Sequence, residues 1–278
     1  MSFSAEWLTL REPADHAARN LAVADAVRAH FAGRDGLRVV DLGCGTGSNL
    51  RGTAENLPAA QAWRLVDWDP ALLQAALSCL QDWAGGATRA GDRLDLRHAG
   101  RNLSVETMQA DLNADLARVL DPAPDLVTAA AFFDLVSADW IERFAAVLAA
   151  RRLPLYTVLT YDGREQWSPP HPLDTAVLSA FHAHQGRDKG FGPAAGPRAA
   201  DALAAAFRRQ GYDVVTGESP WRLGAESATL VGQLATGIAG AAVEAGGVSE
   251  AQGRAWAAAR TGASALIGHV DLFAVPRT

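Results

Sequence analysis

The sequence predicts an α/β protein with an open, doubly wound, mostly parallel sheet that carries helices on both faces. Short apolar runs of strand length alternate with longer segments whose apolar residues recur at helical spacing. Glycine or proline stands at several of the boundaries, as at Gly33, Gly36 and Pro58. Because strands that alternate with helices form βαβ units, this pattern favours a parallel sheet.

The predicted elements follow this alternation through most of the chain. One helix over residues 5–32 precedes the first strand, at 37–42, which runs into a glycine-rich turn. Pro70 suits the first turn of a helix over 71–83. Further strands are predicted at 62–67, near 94–96, and at 105–110, 125–130, 155–160, 212–216 and 265–275, with helices at 48–57, from about 114, and at 138–150.

Two stretches interrupt the alternation and are interpreted as insertions. Residues 161–197 are rich in Pro, Gly and His, with a helix expected over 173–185, and residues 225–264 are alanine-rich and helical in pattern. Open α/β sheets bind ligands outside the carboxyl ends of their strands, so an insertion after the fifth strand would overhang that crevice. The predicted organisation is a helical cap over 1–36 and one domain over 37–278.

Composition narrows the class of protein. The chain has 278 residues and 49% hydrophobic residues, which is typical of a globular protein, and its formal net charge of −6 is unlike that of a nucleic-acid binder. Two cysteines give neither a disulfide framework nor metal-ligand spacing. Residues 1–20 lack the layout of a signal peptide, and no apolar run approaches a membrane span. We therefore expect a cytoplasmic protein, monomeric or homodimeric, without a membrane or nucleic-acid partner.

The glycine-rich turn is the first motif with chemical content. Gly43, Gly45 and Gly47 stand between the first strand and its helix, where glycine lets the backbone approach a ligand closely. The dinucleotide fingerprint would place another glycine at position 48, where this chain has Ser48. Asp41 precedes the turn at the end of the strand.

The segment Val39–Gly47 resembles the first motif of the class I S-adenosylmethionine (SAM)-dependent methyltransferases, which have a Rossmann-like fold. The second motif of that family is matched by Asp67 in Leu65–Pro70, and the third by Gln109–Leu112. The similarity covers about residues 37–160, and more loosely the last strands. It implies a seven-stranded sheet whose last strand, containing Val270–Ala274, is antiparallel.

The resemblance implies a SAM site and assigns roles within it. Asp67 would accept hydrogen bonds from the ribose hydroxyls, Asp111 would lie near the adenine amino group, and Leu112 would donate its backbone amide. Asp67 could instead be a strand-end turn residue, and Asp111 a helix N-cap. Trp68 could pack on the cofactor or belong to the core; Arg19 could pair with the SAM carboxylate or be exposed. The full predicted set is Arg19, Asp41, Gly43, Cys44, Gly45, Gly47, Asp67, Trp68, Asp111, Leu112 and Ala130.

The residues that would act on the methyl acceptor follow the fourth and fifth strands. Asp134, Tyr161 and His184 are the candidate catalytic residues, because the side chain of Asp, Tyr or His can act as a general base near the acceptor. Since His182 and His184 are two residues apart on a helix, at most one of them can face a common site. We expect no metal: the acid–Asn pair of magnesium-dependent relatives is missing, because Gly163 follows Asp162. The insertion also offers Trp167, His171, Asp188, Lys189 and Phe191.

The predicted function is methyl transfer from SAM to an oxygen or nitrogen of a small molecule. No Asn-Pro-Pro-Tyr-like motif follows the fourth strand, where this chain has Ala129–Phe132, and that absence disfavours adenine or glutamine as acceptor. Two alternatives stay open. One is a SAM-binding protein without catalysis; the other is a nicotinamide-dependent oxidoreductase, for which Asp67 is also placed suitably.

Overall fold

The computed structural model describes residues 3–91 and 93–277, so the predicted domain limits at residues 1 and 278 lie outside the described part. Ten strands occur within these ranges. They are β1 Gly36–Leu42, β2 Ala60–Asp67, β3 Gly86–Ala90, β4 Arg93–His98, β5 Arg101–Gln109, β6 Leu126–Ala130, β7 Leu155–Ser168, β8 Tyr212–Glu218, β9 Trp221–Leu223 and β10 Ser264–Pro276.

The strands form one mixed sheet in the order β3-β4-β5-β2-β1-β6-β7-β10-β8, with β9 paired to β10. The five central strands, from β5 to β7, are parallel. The strand β10 is antiparallel to both β7 and β8, and the β3–β4 hairpin extends the other edge. The seven-stranded sheet implied by the resemblance was therefore wrong in number. The strand predicted near 94–96 is β4, but β3 and the short β9 were not predicted, while the antiparallel last strand is confirmed.

Ten α-helices connect and cover the strands within the described ranges. They are α1 Ala5–Ala18, α2 Leu21–His30, α3 Ser48–Thr53, α4 Pro70–Trp83, α5 Leu116–Val119, α6 Ala138–Ala150, α7 Asp174–Gln185, α8 Ala199–Arg209, α9 Ala228–Glu244 and α10 Glu250–Ala258. The helices predicted at 71–83, 138–150 and 173–185 are confirmed to within a residue. Helix α8 was not predicted. No helix in the described part of the chain is both long enough and apolar enough to span a bilayer.

Each central strand contributes to a separate core on either face of the sheet. Neighbouring residues of a strand point to opposite faces. In β1, Val39 belongs to the core under α2 and α4, whereas Val40 belongs to the core under α6 and α8. Leu65 and Val66 of β2 divide in the same way. This division is the structural form of the predicted doubly wound sheet.

The single helix predicted over residues 5–32 is two helices, a correction with a tertiary cause. Arg19 leaves helical geometry with φ −54° and ψ 135°, and α2 begins after Asn20. The Asn20 side chain accepts a hydrogen bond from the Val23 backbone N–H, as an N-cap does. The Asn20 backbone N–H donates to Oδ2 of the buried Asp271 on β10 at 2.8 Å. The break therefore depends on a contact remote in sequence.

The predicted loop-rich insertion at 161–197 begins instead as a continuation of β7, which pairs with β10 as far as Ser168. This antiparallel extension is covered by α7, α9 and α10. Trp167 and Trp256 meet there edge to face at 5.2 Å, and the Arg260 guanidinium lies 4.8 Å from the Trp256 ring. Both insertions thus fold together into one substructure.

An aromatic cluster under α6 fixes the chain that follows β6. Phe144 is fully buried and lies 5.1 Å from Trp140 and 5.3 Å from Phe133 between ring centroids. Phe132 contacts both Phe133 and Trp140 at its outer end. The cluster therefore holds the carboxyl end of β6 in place.

We expect Phe144→Ala to lower the free energy of unfolding by about 3–5 kcal/mol, because it removes a buried aromatic ring and leaves a cavity. Urea unfolding followed by circular dichroism measures this. Arg143→Ala changes the exposed neighbouring residue and should stay within about 0.5 kcal/mol of wild type. Equal losses in the two variants would contradict the assigned packing.

Candidate functional site

The glycine turn bends tightly at the carboxyl end of β1. Gly43, Gly45 and Gly47 have φ values of 63°, 53° and 77°, in the left-handed region that favours glycine. A Cβ at Gly43 would lie 3.0 Å from the Phe132 ring, and one at Gly45 would lie 2.9 Å from Leu8. Larger residues would therefore be strained in conformation and would also crowd these neighbours.

Asp41 lies fully buried beneath this turn. Its Oδ1 accepts a hydrogen bond from the Asn49 side chain at 2.7 Å, and Asn49 Nδ2 also donates to Thr128 Oγ1 at 3.0 Å. The other carboxylate oxygen, Oδ2, is buried without a hydrogen-bond partner among the described residues. Burial raises the pKa of Asp41 to about 7, although the Asn49 hydrogen bond and the Arg19 charge act in the opposite direction.

Arg19 joins the same network from the end of α1. Its guanidinium donates to Thr53 Oγ1 at 2.7 Å and to Asn49 Oδ1 at 3.0 Å. It occupies the space over Gly52, where a Cβ would lie 2.7 Å from the Arg19 Cζ atom. Its Nε is buried without a partner among the described residues. Arg19 is thus partly buried and in contact with the glycine-turn region, and the alternative of an exposed surface arginine is wrong.

Asp67, at the end of β2, faces the turn. Its carboxylate accepts hydrogen bonds from the Gly45 backbone N–H at 2.9 Å and from the Asp69 backbone N–H at 3.0 Å. Burial is the largest influence on Asp67 and raises the pKa of its carboxyl, against the lowering effect of these two donors. Each carboxylate oxygen can accept more than one hydrogen bond, so the group can also bind a ligand hydroxyl.

The third motif lies on the next wall. Asp111 Oδ1 accepts a hydrogen bond from the Asn113 backbone N–H at 2.9 Å, which closes a turn; helix α5 begins only after Asp115. The alternative of a helix N-cap at Asp111 is therefore wrong for α5. Trp68 is 68% exposed, so it is not a core residue.

These elements enclose a cavity of about 480 Å³ at the carboxyl ends of β1, β2, β5 and β6. This size is within the usual range for small-molecule sites. Nine of the eleven predicted cofactor residues line it, whereas Asp41 and Gly47 lie behind the wall. The lining consists of Phe3, Leu8, Arg11, Asp15, Arg19, Gly43, Cys44, Gly45, Thr46, Ser48, Asn49, Asp67, Trp68, Asp69, Leu72, Ala110, Asp111, Leu112, Ala130, Ala131, Phe132, Leu135, Leu159, Lys189, Gly190 and Phe191.

The three predicted catalytic residues are not brought together at this wall. Asp134 lies nearest, since Phe132 and Leu135 line the cavity and its own Oδ1 is buried without a partner among the described residues. Burial raises the pKa of Asp134 to about 6. His184 instead lies 3.1 Å from Glu244, away from the cavity lining.

Tyr161 belongs to a separate polar cluster in the β7 extension. Its hydroxyl lies 2.9 Å from Glu165 and 3.0 Å from the His182 ring, and burial raises the pKa of Tyr161. Trp167 donates to the same carboxylate at 3.1 Å. The Tyr161 hydroxyl is thus engaged by residues of the insertion, and Tyr161 does not line the cavity.

Helix α1 supplies site residues that the sequence did not indicate. Leu8, Arg11 and Asp15 line the cavity, although the helix was predicted only as a cap. The His16 ring lies 3.1 Å from Ser48 Oγ, and Arg51 on α3 forms an ion pair with Glu12. The sequence indicated this only in part. Leu8 fits an apolar face of the helix, but no local pattern shows that this face packs over the glycine turn.

The first insertion contributes to the cavity through a short segment between α7 and α8. Lys189, Gly190 and Phe191 line the cavity. The Phe191 ring packs edge to face on Phe132 at 5.9 Å. Of the first insertion, only these three residues are in the lining. Most of the segment expected to overhang the crevice therefore packs elsewhere.

The comparisons with known proteins support the fold. No family model and no curated protein matches the chain. A cyclopropane-fatty-acyl-phospholipid synthase-like protein from Lactobacillus casei is 15% identical, with a TM-score of 0.54 over 98% of this chain and 94% of that chain. The cyclopropane synthase MmaA2 from Mycobacterium tuberculosis is 11% identical, with a TM-score of 0.53 over the same shares, 98% and 94%.

A SAM-dependent methyltransferase from Geobacter sulfurreducens, in complex with S-adenosyl-L-homocysteine, is 17% identical over 100% of both chains, at a lower TM-score of 0.47. At 15% and 11% sequence identity, the similarity to the first two structures shows a shared fold only. The chain has the class I, Rossmann-like methyltransferase fold, which confirms the fold implied by the resemblance of Val39–Gly47.

Within the described ranges, no group of three or more His, Cys, Asp and Glu side chains is arranged to hold a metal ion. Asp162 forms an ion pair with Arg164.

We expect the buried Asp41 to make stability depend on pH. A carboxyl whose pKa rises from 3.8 to about 7 on folding binds its proton more tightly in the folded state. Its stabilisation is present at low pH and is lost as the pH rises through 7. Relative to Asp41→Asn, the wild-type free energy of unfolding should fall by about 2 kcal/mol between about pH 5 and pH 8.

Urea unfolding without cofactor at both pH values measures this difference. Asp35→Asn replaces an exposed acid just before β1 and should keep the wild-type pH dependence. If Asp41→Asn also kept it, Asp41 would not be the group responsible.

Proposed function

We propose that the protein binds SAM in the cavity at the glycine turn and transfers its methyl group to a small molecule. The observation that carries this proposal is the buried pair of acids, Asp41 beneath the turn and Asp67 facing it, in a fold used by methyltransferases. Ser48 in place of the third fingerprint glycine argues against a dinucleotide.

The residues present fit such a cofactor. The Asp67 carboxylate can accept further hydrogen bonds, which suits the two hydroxyl groups of a ribose. Gly43 and Gly45 have no room for a side chain, because a Cβ atom would come too close to a neighbouring residue. Arg19 offers a cation for the amino-acid carboxylate, and its Nε lacks a partner among the described residues. Leu112 and the exposed Trp68 provide apolar surface for a purine base. The cofactor supplies an electrophilic methyl group when bound.

The chain's own residues would orient the acceptor and take up its proton. We propose Asp134 as the base, because its Oδ1 is buried without a partner and its neighbours line the cavity. A carboxyl with a pKa of about 6 is ionised near neutral pH yet basic enough to accept a proton. Phe132 and Phe191 would exclude water from this end.

We propose an oxygen or nitrogen atom of a small molecule as the acceptor, in a protein that acts in the cytoplasm. The acidic net charge of −6 supports neither a nucleic-acid substrate nor a basic binding face. The fold shared with cyclopropane synthases supports a second candidate, an unsaturated carbon acceptor. The product distinguishes the two, since only carbon methylation adds a new carbon–carbon bond.

We expect calorimetry to show S-adenosyl-L-homocysteine binding to the wild-type protein and at least tenfold weaker binding to Asp67→Ala. A charge-assisted hydrogen bond contributes about 1.5–3 kcal/mol, which is about one to two powers of ten in affinity. Asp82→Ala removes an exposed acid on α4 and should leave affinity unchanged. Binding of NAD in preference to S-adenosyl-L-homocysteine would overturn the proposed function.

We expect Asp134→Asn to retain cofactor binding but to lose about 10²–10³-fold in turnover, within the usual contribution of a general base. Wild-type kcat should rise as the pH increases through about 6, where Asp134 loses its proton, and then level off. The acceptor is first selected by S-adenosyl-L-homocysteine release from a panel of phenols and amines. Asp139→Asn, on the exposed start of α6, is the control. An unchanged pH profile in Asp134→Asn would assign the base elsewhere.

A further inference from the structure

The cavity is lined by three cationic side chains, and two of them are already engaged. Arg11 donates to both carboxylate oxygens of Asp15, at 2.9 and 3.1 Å. Arg19 donates to Thr53 and Asn49. Lys189 has no hydrogen bond and no ion pair with any residue in the described ranges 3–91 and 93–277. Of the three lining cations, Lys189 is therefore the one without a hydrogen bond in the described ranges, whereas Arg11 is ion-paired and Arg19 is hydrogen-bonded to neutral side chains.

Lys189 is held at the cavity by the fold of its segment. The Asp188 carboxylate accepts hydrogen bonds from the backbone N–H groups of Gly190 and Gly192, at 2.7 and 3.0 Å. Phe191 packs against Phe132 and, at 5.5 Å, against Trp140. These contacts fix the backbone on both sides of Lys189. A half-buried lysine that lines a cavity beside apolar surface can bind an anion by a charge-assisted hydrogen bond.

Lys189 and Arg19 are held by different elements around the cavity. Arg19 contacts α3, whereas the segment at Lys189 lies against the turn after β5, where Asn113 Nδ2 is 3.5 Å from the Gly190 carbonyl. In the proposed function, the one carboxylate of the cofactor is taken by Arg19. A second cation, carried by a different segment, therefore matches an anionic group that the cofactor does not provide.

We infer that the methyl acceptor carries an anionic group, a carboxylate or a phosphate monoester, that binds Lys189. Its apolar part packs on Phe132, Leu135 and Phe191, which line the same end of the cavity. That the bound anion is a methyl acceptor rests on the proposed function, whereas anion binding at Lys189 does not. It narrows the acceptor from any small molecule to an amphiphilic acid.

The experiment compares matched probes that differ in charge. They are 3-phenylpropanoate against 3-phenylpropanamide, and phenyl phosphate against phenol, titrated by calorimetry into the full chain with and without S-adenosyl-L-homocysteine. Wild type should bind at least one anion about tenfold more tightly than its neutral counterpart, as expected for one charge-assisted contact. Lys189→Met should abolish this preference, and Lys189→Arg should retain it. The pair that shows the preference distinguishes a carboxylate from a phosphate.

The control variant is Arg187→Met, which removes a cation from the same segment outside the cavity lining, where it contacts the Glu244 carbonyl. It should keep the wild-type preference. No preference in wild type, or the same preference in Lys189→Met, would overturn the inference. Failure of S-adenosyl-L-homocysteine to bind wild type would instead count against the proposed function, because the probes are also titrated without it.

Discussion

The buried carboxylate of Asp41 is the constraint on which the site depends. A carboxylate enclosed by protein is costly unless hydrogen-bond donors surround it, so Asn49 must lie where it does, and Arg19 and Thr128 must hold Asn49 in turn. This one group thereby ties β1 to the helix after the glycine turn, to β6 and to the end of α1. The other carboxylate oxygen, Oδ2, is buried without a partner among the described residues.

The same network explains why α1 is part of the site and not only a cap. Arg19 ends α1, and the helix is held over the turn by the Glu12–Arg51 ion pair and by the His16 contact with Ser48. Leu8 then closes the space above Gly45 that a side chain there would occupy. The position of the wall formed by α1 therefore follows from its contacts with α3.

The sequence predicted the parts of the fold that have local signals. The central strands are apolar runs bounded by glycine and proline, and the cofactor residues follow motifs at their ends. The hairpin strand Gly86–Ala90 is wholly exposed and has no apolar periodicity, so it was missed. The continuation of β7 through Gly163 contains polar residues that resemble a loop; pairing with β10 makes them a strand. The break at Arg19 requires Asp271, 251 residues beyond Asn20.

The first insertion has one part that is packed internally and another that lines the cavity, and this difference has a physical reason. Tyr161 and His182 are residue types suited to catalysis, but Tyr161 is buried in the strand extension, where the half-buried His182 of α7 meets it, and buried polar groups must find partners nearby. They therefore satisfy each other and Glu165, at the expense of any ligand. The segment 189–191 is secured by one aromatic ring and backbone hydrogen bonds, so its charged side chain is left without a partner among the described residues. In the proposed function, this short segment is the part of the first insertion that would contact the acceptor.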